Sequence, residues 1–497
     1  MAEASQESIQ RLIENSEKGL AQIEMSLPIL LEGRRVIEEA IKKQENRNVV
    51  LDLLSIVYDI LLSENEVIYD LSASLDSLLK ASDDYTKRYY MQSLNLCFWE
   101  ACQLFVGEDG DEDGLLSRLV MLTNELNQAG CESIAKHIIE DIQEFRRKYT
   151  DKDLRNITRH YDDPIKMYEK QQELTSIEFF AKGASQLMAI RMEVSVVSSY
   201  LLNLLVPVKN SNHRASPMPQ KRFELNGVFN EGMFKAFKEK HLTEVVQQTL
   251  VDSQRSLDGC FGLYQNCVKA RKFLEERNCV IPGIFEGLET LIKMRMETIY
   301  LRYDIACSVW GYMNAASDKE RSQNLRLIHI TKQAALTHLY GYNAKARERS
   351  LWNKIKKWDE TNGESLNTED VEKSLSELTS SLSEDRDNSN MFAHYRYKKN
   401  FYIPDRLEAF GKMLHYKELA DSGKLLNVCK SLDIYTANLL HCLNEKQERD
   451  RLKQYDEWMA KIDELAFKMG NDERAKTALK PMRNLIDMVY GGEKFMI

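Results

Sequence analysis

From Leu94 to Phe105 the apolar residues Leu94, Cys97, Phe98, Ala101, Leu104 and Phe105 fall three or four positions apart. That spacing gathers them on one stripe of a helix. The same period runs through Glu7–Leu31, Val49–Leu79, Leu115–Tyr149 and Ile165–Leu205, and alternating β-type segments bounded by turn pairs are absent. Only 8 Pro and 21 Gly interrupt 497 residues, which favours long helices over tight turns. The expected fold class is all-α.

The chain also resembles itself. At a constant offset of 234, Tyr69-Asp70 falls on Tyr303-Asp304 and Gly107 on Gly341; one residue further, Tyr200 and Leu204-Leu205 fall on Tyr435 and Leu439-Leu440. So long a separation means a duplicated domain, not a solenoid repeat. Duplicated domains tend to pack face to face about a pseudo-twofold axis, as a homodimer does. The expected organisation is a first helical domain over 1–207 and a linker over 208–230, where Pro217, Pro219 and Gly227 sit among polar residues. A second domain over 231–445 and a helical extension over 446–497 follow. A loop and one exposed helix are expected in the Ser- and Glu-rich stretch Asp359–Asn390.

A net charge of −9 argues against a surface built as a whole for nucleic acid, so any RNA contact must rest on a local basic patch. The nine Cys form no Cys-x-x-Cys pair and lack zinc spacing, which points to reduced, buried thiols in a cytoplasmic protein. The N-terminus has no apolar signal core, and the most apolar run, Leu201–Val208, is too short to cross a bilayer. No membrane partner is expected.

The chemistry-bearing stretch is Thr150–Pro164, TDKDLRNITRHYDDP, with Arg155-Asn156, three residues, then His160. The 234 offset carries Asp153 onto Asp387, Asn156 onto Asn390, His160 onto His394 and Tyr161 onto Tyr395, while Arg155 falls on Ser389. On a helix Asn156 and His160 stand one turn apart on one face, where the amide can fix the imidazole tautomer; Asn390 and His394 repeat the pairing. Arg155 lies about 140° around the axis from His160, so one straight helix does not aim both at one small target. The pair makes better sense at a helix end or across a cleft. Asp153 and Asp387 can cap the helix or hold a cation. Arg146, Arg147, Lys148, Lys152 and Arg159 form a basic run around the first copy.

These residues resemble the signature of the HEPN superfamily: an acid, then Arg two residues on, commonly Asn, four to six residues, and His. Asp153-Leu154-Arg155-Asn156-Ile157-Thr158-Arg159-His160 fits it, and FAHYRY at Phe392–Tyr397 is similar to the family's text around its His. The resemblance covers two motifs on a helical background. It implies paired helical bundles whose motifs meet at the interface, and a metal-independent endoribonuclease without cofactor. It further implies catalytic Arg155, His160 and His394 with supporting Asp153, Asn156, Asp387 and Asn390, and a role in bacterial defence or stress. The expected partners are RNA or a nucleotide, and a partner protein or second copy of the chain. Ser389 departs from the pattern and removes one of two phosphate clamps. The tyrosine of the family's antitoxin-modified subgroup, two residues after the His, is replaced by Asp162 and Arg396.

The competing reading is a non-catalytic helical scaffold, or an RNA- or nucleotide-binding protein with a retired motif, in which Asn and His only cement the halves. Asp109–Gly114 resembles half of an EF-hand loop, but Val120 stands where a bidentate Glu is needed. His329 and His338, nine residues apart, face opposite sides of a helix, so no metal site is expected.

Overall fold

The structure, a computed structural model, describes residues 2–107, 113–161, 163–205, 242–276, 284–315, 317–362, 368–379, 404–405, 413, 415–470 and 473–490. Every regular element among them is helical, as the apolar period requires. The first half holds α1 (Ala2–Lys42), α2 (Val49–Lys80), α3 (Asp84–Val106), α4 (Leu115–Glu125), α5 (Ala129–Tyr149), α6 (Lys152–His160), α7 (Pro164–Glu173) and α8 (Ile177–Leu205). The second holds α9 (Leu242–Glu275), α10 (Ile284–Asn314), α11 (Asp318–Tyr340), α12 (Ala344–Glu348), α13 (Leu351–Asn362), α14 (Glu369–Thr379), α15 (His415–Lys468) and α16 (Glu473–Tyr490).

Two of the expected spans are each broken once. Leu115–Tyr149 divides after Glu125, where Asn127 takes a left-handed backbone (φ 57°) that a helix cannot continue through. Ile165–Leu205 divides at residues 174–176, where the Ser176 hydroxyl accepts from the Phe179 amide and starts α8. Nor is the helix in the Ser- and Glu-rich stretch merely exposed: Leu375 of α14 is fully buried. At 445–446 there is no break, because α15 runs on unbroken to Lys468. Its far end pairs with α16 around a small separate cluster of Ile462, Ala466, Leu479 and Ile486. The 208–230 linker lies outside the described residues.

Helix bounds recur at the offset seen in the sequence. Adding 234 to Asp84–Val106 gives the bounds of α11, and α2 shifted in the same way gives α10 to within a residue. The caps recur too. Asp83 and Ser317 accept from the amides of Thr86 and Glu320 at 2.8 and 3.2 Å. Gly107 (φ 78°) and Gly341 (φ 79°) each donate to a carbonyl four residues back, Gln103 and Thr337. The helices touch in matching pairs: α1 on α2 as α9 on α10, α2 on α3 as α10 on α11, and α2 and α3 on α8 as α10 and α11 on α15.

The halves share one hydrophobic core. A single cluster of buried side chains runs from Leu53, Phe98 and Leu201 in the first half to Leu291, Tyr300 and Leu432 in the second. Across the seam α2 packs on α11 and α3 on α10. Two positions 234 apart meet there, with Lys80 Nζ donating to the Asn314 carbonyl at 3.1 Å. Buried polar contacts join the same surfaces. Arg326 donates to both oxygens of Asp70 at 2.7 and 2.6 Å, and the Tyr90 hydroxyl to the Cys307 carbonyl at 2.8 Å.

Among the described residues one helix, α8, is long and apolar enough to cross a membrane, with a mean hydropathy of 1.3 over its best window. The eight-residue run read from sequence understates it, since small residues such as Ala184 and Ser198 dilute the apolar text along a longer helix. Phe180, Leu187, Ile190, Val194, Val197 and Leu201 turn inward and pack α8 against α2, α3 and α5. No disulfide joins the eight described cysteines, and seven of them are buried.

The Gly341 turn offers a direct check. A methyl group there would stand 2.5 Å from the Arg347 amide nitrogen on a backbone with φ 79°. Gly341→Ala is expected to lower stability by about 1–3 kcal/mol in urea unfolding; an unchanged midpoint would contradict this account of the turn.

Candidate functional site

The motif helix α6 is short and strongly polar on one side, so contacts from elsewhere must hold it. At its start Asp151, not Asp153, is the cap, and its Oδ1 accepts from the Leu154 amide at 2.9 Å. Asp153 instead points outward and lies 3.8 Å from Lys166 Nζ, the cation-holding alternative. Asn95 of α3, almost fully buried, grips Asp151 from both sides. Its Nδ2 donates to the Asp151 carbonyl at 3.0 Å, and its Oδ1 accepts from the Asp151 amide at 2.8 Å.

Arg155 points back into its own half. Nη2 donates to Glu100 Oε1 at 3.3 Å and Nη1 to Asn156 Oδ1 at 2.9 Å. The two side chains of the ion pair keep only 19% and 5% exposure. The Asn156 oxygen therefore serves the guanidinium. The His160 side chain lies outside the described set, and so do Asp387, Ser389, Asn390 and His394 with the rest of residues 380–403. The expected His160–His394 approach and the Asn–His pairings fall there as well.

Glu100 also lines a cavity of about 30 Å³ between the halves, together with Asp70 and Ser74 of α2, Ser93 of α3, and Gln323 and Arg326 of α11. That volume suits one ordered water. Beside α6 the basic run divides. Arg146 and Lys152 lie over the Trp99 ring at 4.4 and 5.9 Å, while Arg147 and Lys148 are exposed.

The C-terminal end of α6 reaches the second half. α6 packs on α11, and its neighbour α7 on α10. Tyr161, the residue after His160, is buried with a left-handed backbone (φ 53°). Its hydroxyl donates to Asp304 Oδ2 of α10 at 2.6 Å. The ring of His338 lies 5.5 Å from the Tyr161 ring, and His338 Nε2 is 2.8 Å from Glu297 Oε2. His329 turns to a different carboxylate, Glu418, at 3.2 Å. Burial pushes the Glu418 carboxyl up, but His329 and Lys332 outweigh it and hold it down at about 2. Among the described residues no three His, Cys, Asp or Glu side chains converge as metal ligands.

Asn95, Glu100, Asp304, Glu297 and His338 carry no motif. Only Asp304 had a sequence signal, as the match of Asp70 at the 234 offset. Comparison with family models, characterised proteins and solved structures finds no match for this chain.

Asp304 gives the seam a pH dependence. Burial pushes its carboxyl from 3.8 up to about 7, with the Tyr161 hydroxyl pulling the other way. The folded chain therefore keeps a proton that the unfolded chain releases near pH 4. The stabilisation is complete below pH 4 and is lost as pH rises through 7, by up to about 1.4 kcal/mol per unit. Burial likewise pushes Glu64 up to about 8 against the pull of Arg191, with the same sign. Urea unfolding between pH 5 and 8 should show wild type losing more stability than Asp304→Asn; parallel pH profiles would contradict the assignment.

Proposed function

We propose that the chain is a duplicated helical domain folded on itself as a pseudo-dimer, and that its seam carries a metal-independent endoribonuclease site. In this reading Arg155 and His160 come from the first half and His394 from the second. Asp153, Asn156, Asp387 and Asn390 support them. The observation that carries the reading is the position of α6, which packs on α11 of the opposite half and is followed at once by Tyr161, bonded to Asp304 of α10. The helix bounds and caps that recur at 234 residues support the pseudo-dimer.

The chemistry follows from the residue types. One neutral imidazole takes the proton of a ribose 2′-hydroxyl, and the 2′-oxygen attacks the adjacent phosphorus. The bond from phosphorus to the 5′-oxygen breaks, and the other imidazole, protonated, supplies the proton that the 5′-oxygen needs. The products are a 2′,3′-cyclic phosphate and a 5′-hydroxyl. Arg155 offsets the charge that gathers on the phosphoryl oxygens. Ser389 leaves the second clamp vacant, and the loss of one such stabiliser lowers the rate by about 10²–10³. Exposed Arg147 and Lys148 give the RNA backbone a local basic approach on an acidic protein. A cytoplasmic setting follows from the cysteine usage, and a role in bacterial defence or stress from the family resemblance.

The test is cleavage of a mixed single-stranded RNA by the purified chain with EDTA present. Cleavage is expected to persist. Loss with chelator and rescue by Mg²⁺ or Mn²⁺ would point to other chemistry.

The Arg155–Glu100 pair favours a second reading, a scaffold whose motif only joins helices, because the guanidinium is paired with a carboxylate of its own half. Under that reading wild type cleaves nothing, and every motif variant melts below it.

A further inference from the structure

We infer that Tyr161 is a positioning residue: the clamp closed around its ring by Asp304 and His338 of the second half holds the last turn of α6, and with it His160, at the seam. The inference rests on the proposed site for its effect on cleavage, but not for its effect on the helix.

Three observations converge on it. The backbone of Tyr161 lies in the left-handed region, which a bulky aromatic residue enters only when its surroundings dictate it. Its side chain is buried, so the ring is a wedge and not a surface feature. Its hydroxyl crosses between the halves to Asp304, whose second oxygen, Oδ1, is buried with no partner among the described residues. The phenol is therefore the one described donor that Asp304 has across the seam. The His338 ring packs on the Tyr161 ring at 5.5 Å between centroids, and its Nε2 is held by the buried carboxylate of Glu297.

The start of α6 is held separately. Asn95 grips Asp151, and Glu100 holds Arg155, both from α3. One end of the motif helix thus belongs to the first half and the other is tethered to the second. Loosening Tyr161 should free the His160 end and leave the Arg155 end in place. A general loss of stability would not produce that polarity.

The experiment compares full-length wild type, Tyr161→Phe, Asp304→Ala and Asp304→Asn by amide hydrogen exchange and by steady-state RNA cleavage. Tyr161→Phe keeps the wedge and loses the tether; Asp304→Asn keeps an acceptor for the phenol. Exchange across residues 157–161 is expected to rise about tenfold or more in Tyr161→Phe and Asp304→Ala, with residues 152–155 unchanged and Asp304→Asn near wild type. In cleavage, Tyr161→Phe should lower kcat by about 10- to 100-fold with KM little changed, because a displaced imidazole weakens the transition state and not RNA binding. Wild-type exchange at 157–161 in Tyr161→Phe would overturn the inference, as would a uniform rise over the whole of α6. If wild type cleaves no RNA, the proposed site fails, and the exchange data still decide whether Tyr161 positions the helix.

Discussion

Arg155→Ala lowers the stability of the chain by about 2–4 kcal/mol and abolishes its RNA cleavage, whereas Arg155→Met combined with Glu100→Gln abolishes cleavage with a much smaller loss of stability. The size follows from the pairing. Glu100 is 5% exposed and its Oε1 lies 3.3 Å from Arg155 Nη2, so removing the guanidinium takes a cation from beside a buried carboxylate. The 19% exposure of Arg155 sets the value toward the lower part of the range for breaking a buried pair. A loss of that size is a substantial share of a typical folding free energy of about 5–15 kcal/mol. Neutralising Glu100 together with Arg155 removes both charges of the buried pair, so the double variant separates folding from chemistry. Urea unfolding and RNA cleavage are measured on the same preparations. A double variant that still cleaves would remove Arg155 from the site, and an Arg155→Ala chain as stable as wild type would remove it from the buried pair.

His160→Ala and His394→Ala each reduce single-turnover cleavage by about 10²–10⁴-fold, the usual contribution of a general acid or base. The double variant is expected to be little worse than either single one, because the two imidazoles serve one proton-transfer cycle and residues that act as a unit do not add. The wild-type rate should follow a bell-shaped pH profile, with one imidazole neutral and the other protonated, and each single variant should lose one limb of it. Equal, modest and additive losses without change in the profile would mean that the histidines only support structure. Ser389→Arg belongs in the same series. It restores the family pattern, and a rise in rate is the expected direction.

Much of the fold was legible because its signals are local or periodic. The stripe from Leu94 to Phe105 is buried in α3, and the 234-residue echo of Tyr69-Asp70 and Gly107 tracks helices and caps that recur at the same spacing. What the sequence did not disclose depends on contacts between distant residues. Nothing around Asn95 says that its amide will hold Asp151, 56 residues on, and nothing around Glu100 says that it will take Arg155. The sequence placed Arg155 about 140° around the helix from His160, and only the packing of α3 against α6 supplies the carboxylate that Arg155 meets. Asp153 matches the motif's acid, yet Asp151 caps the helix, because the helix starts at Lys152 and a cap must precede the first turn. His338 was set aside as one of two histidines too far apart to share a metal. Its role beside Tyr161 depends on how the two halves dock, which no local pattern encodes.

The most direct measurement is the chemistry of the cut ends. A short RNA and the same oligonucleotide with 2′-deoxyribose at every position are incubated with the full-length protein, and the products are identified by mass spectrometry. The composite-site account predicts that only the RNA is cut and that the upstream fragments end in a 2′,3′-cyclic phosphate, since the ribose hydroxyl is the nucleophile. Cleavage of the deoxy strand, or fragments ending in a 3′-hydroxyl with a 5′-phosphate downstream, would contradict it.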